Sequence, residues 1–285
     1  MYANLAMYSV KKSEQSEVAF YNKLMQTDKI RFNYIKEELK DAIVNGGFIL
    51  LYQPIMDITK KKVKSYEALV RFKNHNIYPD EFIPIAETTG LILPIGRYVI
   101  ESAIKQIAQW ELENRMCTNV SVNFSTKQFY DEGIIDFIKE KLNQYSVPSE
   151  CLTIEITETF LHEKSIEEVR NFLVELKKMN LKIAMDDFGT GFTSVMFFNH
   201  FPFDVIKLDK SFVEDKLKKS KTKVFETWLL LFQAYNYIVI AEGVETVNQL
   251  KQLEKLGVDY VQGYYFSRPL SVEAIENLGF SKGGF

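Results

Sequence analysis

Residues 152–186, LTIEITETFLHEKSIEEVRNFLVELKKMNLKIAMD, contain a strand, a helix and a second strand in succession. Residues 152–156 and 182–185 are short β-rich runs, and residues 166–179 between them carry apolar side chains at helical spacing. Strands and helices joined by connections this short are typical of βαβ units and of a parallel sheet. This stretch therefore predicts an α/β fold.

The same alternation continues on both sides of that stretch. About eight strand candidates over about 240 residues fit a closed barrel better than an open sheet. We therefore predict a TIM-like (β/α)₈ barrel with an N-terminal helical extension. The predicted strands are residues 48–55, 66–72, 119–123, 152–156, 182–185, 205–208, 238–241 and 260–262.

The first 45 residues differ from the rest in their hydrophobic pattern, which is helical without β-rich runs. Phe32, Ile35, Leu39 and Ile43 recur at helical spacing, and a glycine pair at 46–47 ends the pattern. We expect a helical segment and linker over residues 1–45, followed by the barrel over residues 46–285.

The composition excludes several classes of protein. The 285 residues are 46% hydrophobic and 26% charged, which is ordinary for a globular chain. The 35 Lys and Arg residues nearly balance the 38 Asp and Glu residues in charge, so we expect no binding to a nucleic-acid polymer. No apolar run approaches the roughly 18 residues of a membrane span, so we expect no membrane contact by this chain. Cys117 and Cys151 predict no disulfide framework, and three scattered histidines predict no zinc site. A cytoplasmic location follows as an expectation.

Polar residues collect where the predicted strands end, which is the mouth of such a barrel. Side-chain alternation places Glu155 opposite Ile154 and Ile156, and it places Lys207 opposite Ile206. Because helices cover the outside of a parallel barrel, the polar faces point inward. The strand-end residues are Glu67, Arg71, Asn123, Glu155, Asp186, Asp187, Lys207, Asp209, Glu242, Glu245 and Gln262.

So many carboxylates cannot converge without a compensating charge. Any single one is equally consistent with a solvated strand end or a helix cap, but five or more on successive strands favour a shared site. Oxygen ligands without Cys or His suit hard cations such as Mg²⁺ or Mn²⁺. The adjacent Asp186 and Asp187 suggest room for two ions, a device used for displacement at phosphorus.

The run Glu67-Ala-Leu-Val-Arg71 resembles the signature of the EAL-domain phosphodiesterases, which hydrolyse the bacterial messenger cyclic di-GMP. Seven further motifs match that family in order, over about residues 45–272. They are residues 52–55 (YQPI), 122–125 (VNFS), 154–158 (IEITE), 186–191 (DDFGTG), 206–209 (IKLD), 241–245 (AEGVE) and 261–264 (VQGY).

The resemblance implies a role for each matching residue. It implies Glu67, Lys207 and Glu242 as catalytic residues and Glu158 as a brace for the loop after Asp187. Lys207 would either accept a proton from the attacking water or orient that water. The implied metal ligands are Glu67, Asn123, Glu155, Asp186, Asp187, Glu242 and Gln262. The implied substrate contacts are Gln53, Leu69, Arg71, Asp209 and Tyr264.

The resemblance also implies an activity. We expect hydrolysis of cyclic di-GMP to linear pGpG with two Mg²⁺ or Mn²⁺ ions, inhibition by Ca²⁺, and a homodimer formed through EAL domains. The alternative is a catalytically silent cyclic di-GMP receptor or an interaction module.

Residues 3–8 and the lysines at 11 and 12 resemble the closing helix of a GGDEF domain. The chain would then be the catalytic fragment of a longer signalling protein, which could be membrane-anchored through upstream domains.

Overall fold

The computed structural model describes residues 23–73, 76–113, 118–162, 165–191 and 196–278. The strands are β1 (Phe48–Asp57), β2 (Lys62–Phe72), β3 (Asn119–Asn123), β4 (Leu152–Thr157), β5 (Lys182–Phe188), β6 (Val205–Leu208), β7 (Ile238–Ala241) and β8 (Tyr260–Gln262). The helices are α1 (Lys23–Asn45), α2 (Pro79–Thr89), α3 (Ile92–Leu112), α4 (Ile134–Gln144), α5 (Ile166–Lys178), α6 (Met196–His200), α7 (Lys210–Lys216), α8 (Thr222–Ala234), α9 (Val247–Leu256) and α10 (Val272–Asn277).

The first of two compact units comprises Met1–Ile49 and Arg71–Ile92. Within it, α1 buries Ile35 and Leu39, as their helical spacing predicts. The guanidinium of Arg31 donates to both carboxylate oxygens of Glu81 on α2, at 2.9 and 2.7 Å. The segment that resembles a GGDEF helix lies outside the described residues.

The second unit comprises Leu50–Val70 and Leu93–Phe285. The eight strands close into a barrel in sequence order, which confirms the predicted fold class. β1 departs from the expected parallel arrangement because it runs antiparallel to β8, whereas the strands from β2 to β8 are parallel. Only residues 58–61 connect β1 to β2, and a parallel pair would need a crossover of about a dozen residues or more.

The apolar spacing of residues 211–234 predicts one long helix, but the structure has two helices here, α7 and α8. Residues 217–221 (LKKSK) separate them. Asp215 accepts hydrogen bonds from Lys218 and Lys221, which fastens the chain into a turn at this point. Apolar periodicity alone did not reveal this break.

Cys151, at the start of β4, is buried and disulfide-bonded. This bond corrects the expectation of a chain without a disulfide, and Cys117 lies outside the described residues. Among the helices that the structure describes, none has the length and apolar character needed to cross a bilayer.

Candidate metal centre

A cavity of about 370 Å³ lies in the second unit, where β2 and β5–β8 end. It brings together most of the polar residues that sequence reasoning placed at the barrel mouth. Its walls are Gln53, Glu67, Leu69, Asp186, Asp187, Lys207, Lys210, Glu242, Gly243, Glu245, Gln262, Gly263 and Tyr264.

Lys207 on β6 is the centre of the charge arrangement. Only 1% of its side chain is exposed. Its ammonium group contacts four carboxylates. The Nζ–O distances are 2.8 Å to Glu242, 2.9 Å to Glu155, 3.2 Å to Asp186 and 3.6 Å to Glu67.

Amide groups orient Glu67 on β2. Asn123 Nδ2 donates to Glu67 Oε1 at 2.7 Å, and Gln262 Nε2 donates to Glu67 Oε2 at 2.6 Å. Gln262 Nε2 also lies 3.2 Å from Gln53 Oε1. Its own Oε1 is buried and has no hydrogen-bond partner in the described part of the chain. An amide oxygen of this kind is a suitable ligand for a hard cation.

Asp186 and Asp187 both face the cavity, although consecutive residues of a regular strand point to opposite sides. The pairing of β5 with β6 shifts register between Met185 and Phe188. Asp187 has a φ of 56°, in the left-handed region that few residues other than glycine adopt. This irregular backbone redirects the second carboxylate into the site, as β-bulges near functional sites do.

The carboxylates form two groups in which ligand atoms lie within 4.8 Å of one another. One contains Glu67, Glu155 and Asp186, and the other contains Asp186, Asp187 and Glu242. Since these five acids share the site with one ammonium group, a bound cation would relieve their repulsion. Donor chemistry, excess negative charge and the unpartnered Gln262 oxygen all fit a metal ion, so this cluster could hold one.

Burial and mutual repulsion shift the pKa values of the site. Burial raises the pKa of Glu242 to about 8 despite Lys207, and burial with the neighbouring Asp186 raises the pKa of Asp187 to about 6. Burial also holds the pKa of Glu155 well above its usual value. For Lys207, burial lowers the pKa, but the surrounding carboxylates outweigh it and the pKa lies well above the usual range. Without metal, the lysine is therefore charged.

These shifts predict how stability depends on pH. An acid with a raised folded-state pKa binds more protons when folded, so stability falls as pH rises from its unfolded to its folded value. For Asp187 and Glu242 that window runs from about 4 to about 8. The metal-free chain is therefore expected to lose thermal stability between pH 6 and pH 8.

Added Mn²⁺ should stabilise the chain more at pH 8 than at pH 6, because the ligands must be deprotonated to bind it. Thermal melts in EDTA and in Mn²⁺ at both pH values measure this difference. An Mn²⁺-induced shift in Tm that is equal at the two pH values would contradict the prediction.

Glu158 follows β4, and both its carboxylate oxygens are buried without a hydrogen-bond partner among the described residues. A Cβ atom on Gly191 would lie 2.7 Å from Glu158 Oε1, so the glycine lets this loop approach the carboxylate closely. Glu158 therefore lies against the loop that follows Asp187. Its role as a brace for that loop stays a prediction.

The predicted substrate contacts come from several elements of the structure. Gln53, Leu69 and Tyr264 line the cavity. Asp209 caps α7, where it accepts a hydrogen bond from the backbone N–H of Ser211 at 2.8 Å, and its charge adds to burial in raising the pKa of Asp187 at the cavity. Its contact with a substrate stays a prediction. Arg71 belongs to the first unit, and its contact with a substrate stays a prediction.

Sequence reasoning assigned no role to Lys210 and did not anticipate its ion pair. Its Nζ lies 2.7 Å from Glu245 Oε1 at the cavity wall, and both side chains are partly exposed. The position of Glu245 after a predicted strand was the available signal. Its partner could not be identified without the fold.

The model of the EAL domain family matches residues 36–269. Signaling protein YkoW of Bacillus subtilis is 34% identical over 96% of this chain and 34% of its own length. Cyclic di-GMP phosphodiesterase PdeR of Escherichia coli is 32% identical over 96% of this chain and 42% of its own length. The chain thus spans well under half the length of these curated relatives.

The fold agrees with these sequence comparisons. The structure of the PaMucR phosphodiesterase in complex with c-di-GMP superposes with a TM-score of 0.79 at 30% identity, over 85% of this chain and 99% of that one. The family match spans most of the described barrel and includes each proposed metal ligand. The chain belongs to the EAL-domain family.

Proposed function

We propose that this chain is a metal-dependent phosphodiesterase that hydrolyses cyclic di-GMP to linear pGpG. One observation carries the proposal. Four carboxylates, from β2, β4, β5 and the end of β7, lie within 3.6 Å of the Lys207 ammonium group, beside an open cavity. The names of PdeR and PaMucR support the choice of substrate.

The two clusters of three acids described above would hold two Mg²⁺ or Mn²⁺ ions, and Asp186 belongs to both clusters. Asn123 and Gln262 would complete the ligand set, since their Nδ2 and Nε2 atoms already face Glu67 and their oxygens remain for an ion. Such ions lower the pKa of a bound water and neutralise charge on phosphoryl oxygens.

The chain's own groups would orient the substrate and the water. Lys207, charged and held rigidly by Glu155 and Glu242, would donate to the attacking water and fix its direction. Tyr264 lines the cavity with 51% of its surface exposed, and the guanidinium of Arg268 covers one face of its ring at 4.2 Å from the centroid, which leaves the other face for a base. A guanine base can stack on such a face. Arg71 would bind a phosphate, and Asp209 would contact the substrate.

Incubation of the purified chain with cyclic di-GMP and Mg²⁺ or Mn²⁺ tests this proposal, with chromatography as the readout. We expect pGpG to accumulate with either ion and none to form in EDTA. Binding of cyclic di-GMP in calorimetry without product would favour the receptor alternative. Absence of both binding and product would favour an interaction module.

Calcium is expected to bind the site and to inhibit turnover. The ligand set is all oxygen, so binding is chemically allowed, but Ca²⁺ prefers 6–8 ligands at about 2.3–2.6 Å against about 2.0–2.1 Å for octahedral Mg²⁺. Longer bonds would displace the reacting groups, and small displacements can cost about 10²-fold in rate.

A metal series on the purified chain measures this effect. We expect Ca²⁺ to raise the Tm of the chain, to support no hydrolysis, and to compete with Mg²⁺ activation. Turnover in Ca²⁺ equal to that in Mg²⁺ would exclude the two-ion arrangement.

We also propose the wider organisation. Residues 1–45 would be the tail of an upstream GGDEF-like domain and a linker, and residues 46–285 the barrel. The greater length of the relatives supports further domains. The family match begins at residue 36, so residues 36–45 of α1 fall inside it and the boundary at 45 stays a prediction. A cytoplasmic location, a membrane anchor in the parent protein and a homodimer through EAL domains belong to the same proposal. Analytical ultracentrifugation of the purified chain would measure the dimer.

A further inference from the structure

The register shift in β5 that turns two aspartates inward also turns Phe188 outward. Between Met185 and Phe188, β5 advances three residues while the paired strand β6 advances two. In a regular strand, alternation would place Phe188 on the same face as Asp186, among the carboxylates of the barrel mouth. The extra residue reverses this parity. Asp187 therefore joins Asp186 on the inside, and Phe188 faces the helices on the outside.

On that outer side, Phe188 lies in a layer of aromatic rings. The residue is 2% exposed, and its ring packs edge-on against three of its four aromatic neighbours. Aromatic pairs with centroids about 4.5–7 Å apart attract one another beyond the effect of buried area. An inward Phe188 would lose these contacts and would lie among charges. The centroid distances from Phe188 are 5.1 Å to Trp228, 5.2 Å to Phe232, 5.4 Å to Phe212 and 6.2 Å to Phe198.

The backbone beside the register shift is held by the same layer. Gly189 has a φ of 99°, and a Cβ atom there would collide with the ring of Phe212, so the chain passes directly over that ring. The carbonyl of Phe188 accepts a hydrogen bond from the N–H of Asp209 at 3.2 Å. Asp187, with its left-handed φ of 56°, has a conformation that persists only where its surroundings impose it. The buried ring next to it supplies such a constraint.

We propose that Phe188 is a positioning residue for the metal centre. Burial of its ring outside the barrel selects the shifted register, and the shifted register holds the carboxylate of Asp187 toward the ions. A regular strand would keep Asp186 inward and turn Asp187 away. In the described part of the chain, Asp186 belongs to both acid clusters and Asp187 to one. Loss of the ring should therefore weaken one ion more than the other.

This inference rests on the proposed function in that the ions are those which hydrolysis would use. Its tests use Mn²⁺ alone and no cyclic di-GMP. Failure of the positioning role would therefore leave the proposed hydrolysis untouched, whereas absence of pGpG would refute hydrolysis and leave the Mn²⁺ measurements valid.

Calorimetric titration of the purified chain with Mn²⁺ tests the role of Phe188. Phe188→Thr replaces the ring with a polar, strand-forming side chain that can face the barrel mouth. It should weaken the same binding step as Asp187→Ala, by about 10–100-fold, the usual cost of losing a group that orients a ligand. Phe188→Leu keeps an apolar side chain and should restore most of the affinity. Unchanged affinity in Phe188→Thr or in Asp187→Ala would overturn the proposal.

Phe225→Thr is the matched control. Phe225 on α8 is 0% exposed, and its ring packs edge-on against Phe212 with centroids 5.9 Å apart. Both threonine variants lose a buried ring, so both should melt below the parent chain in EDTA. Mn²⁺ affinity should fall in Phe188→Thr and stay at the parent value in the control. An equal loss of affinity in the two variants would make Phe188 a packing residue and overturn the proposal.

A double-mutant cycle separates positioning from a general loosening of the site. If Phe188 acts through Asp187, Phe188→Thr should cost Mn²⁺ affinity in the parent chain and none in the Asp187→Ala background. An equal cost in both backgrounds would overturn the proposal.

Trp228→Leu disturbs the same ring from α8 and is a milder change, because Trp228 is only half-buried. We expect a severalfold loss on the binding step that Asp187→Ala weakens. Should Phe188→Thr fail to fold, unchanged Mn²⁺ affinity in Trp228→Leu would overturn the proposal.

Discussion

Replacing Lys207 with alanine is expected to lower kcat for cyclic di-GMP by on the order of 10³-fold, with a much smaller change in KM. Groups that position or transfer protons in a transition state contribute about 10²–10⁴-fold. The side chain of Lys207 is 1% exposed and its ammonium group contacts carboxylates, so it is not available to bind a guanine of the substrate. A change confined to kcat would place its interaction in the transition state.

Steady-state kinetics with Mn²⁺ measure both parameters. Lys177→Ala is a matched control because it removes a lysine that pairs with one carboxylate, Asp204, at 2.7 Å and does not line the site. The control should retain turnover. A raised KM with unchanged kcat in Lys207→Ala would instead make Lys207 a binding residue.

The same substitution should make stability depend on metal. Without Lys207, the buried Glu155 and Glu242 lose the charge that opposes their repulsion, and breaking a buried pair costs about 3–5 kcal/mol before protonation relieves it. In EDTA, Lys207→Ala should therefore melt well below the parent chain. Saturating Mn²⁺ should recover most of the difference, because the ions replace the missing positive charge.

Local sequence patterns were sufficient for the barrel and for the identity of its strand-end residues. Alternation in residues 152–157 separates Ile154 and Ile156 from Glu155, and the closed barrel confirms the α/β architecture that this pattern predicts. Strand length, parity and short connections are local properties of a chain. They can therefore be recognised in the sequence without knowledge of tertiary contacts.

The remaining features depend on contacts between distant residues. The antiparallel direction of β1 follows from a short connection, but its pairing with β8 joins residues about 200 positions apart. Asp186 and Asp187 both point inward because the strand pairing shifts register there, and simple side-chain alternation does not predict this shift. The side chain of Asp209, which matched a substrate position, also caps α7. Neither the register shift nor the capping hydrogen bond is encoded by hydrophobic periodicity.

Glu67→Gln is expected to abolish measurable hydrolysis, a loss of about 10³-fold or more, while the fold remains intact. Both oxygens of Glu67 accept hydrogen bonds from amide nitrogens, of Asn123 at 2.7 Å and of Gln262 at 2.6 Å. A glutamine has one oxygen and one NH₂ group, so whichever way it turns, it places a donor against a donor. The variant therefore loses a ligand charge and also disturbs the two amides that would complete the metal site.

Turnover by chromatography, Mn²⁺ affinity by calorimetry and circular dichroism separate these effects. Glu101→Gln is the matched control, because Glu101 accepts from Lys105 and Tyr145 and does not line the site. That variant should keep both turnover and metal affinity. Changes beyond the direct ligands of a metal usually cost about 10–100-fold, so a Glu67→Gln variant that keeps more than about a tenth of the activity would not have lost a ligand. Such a result would remove Glu67 from the metal centre and leave Glu155, Asp186, Asp187 and Glu242 to bind the ions.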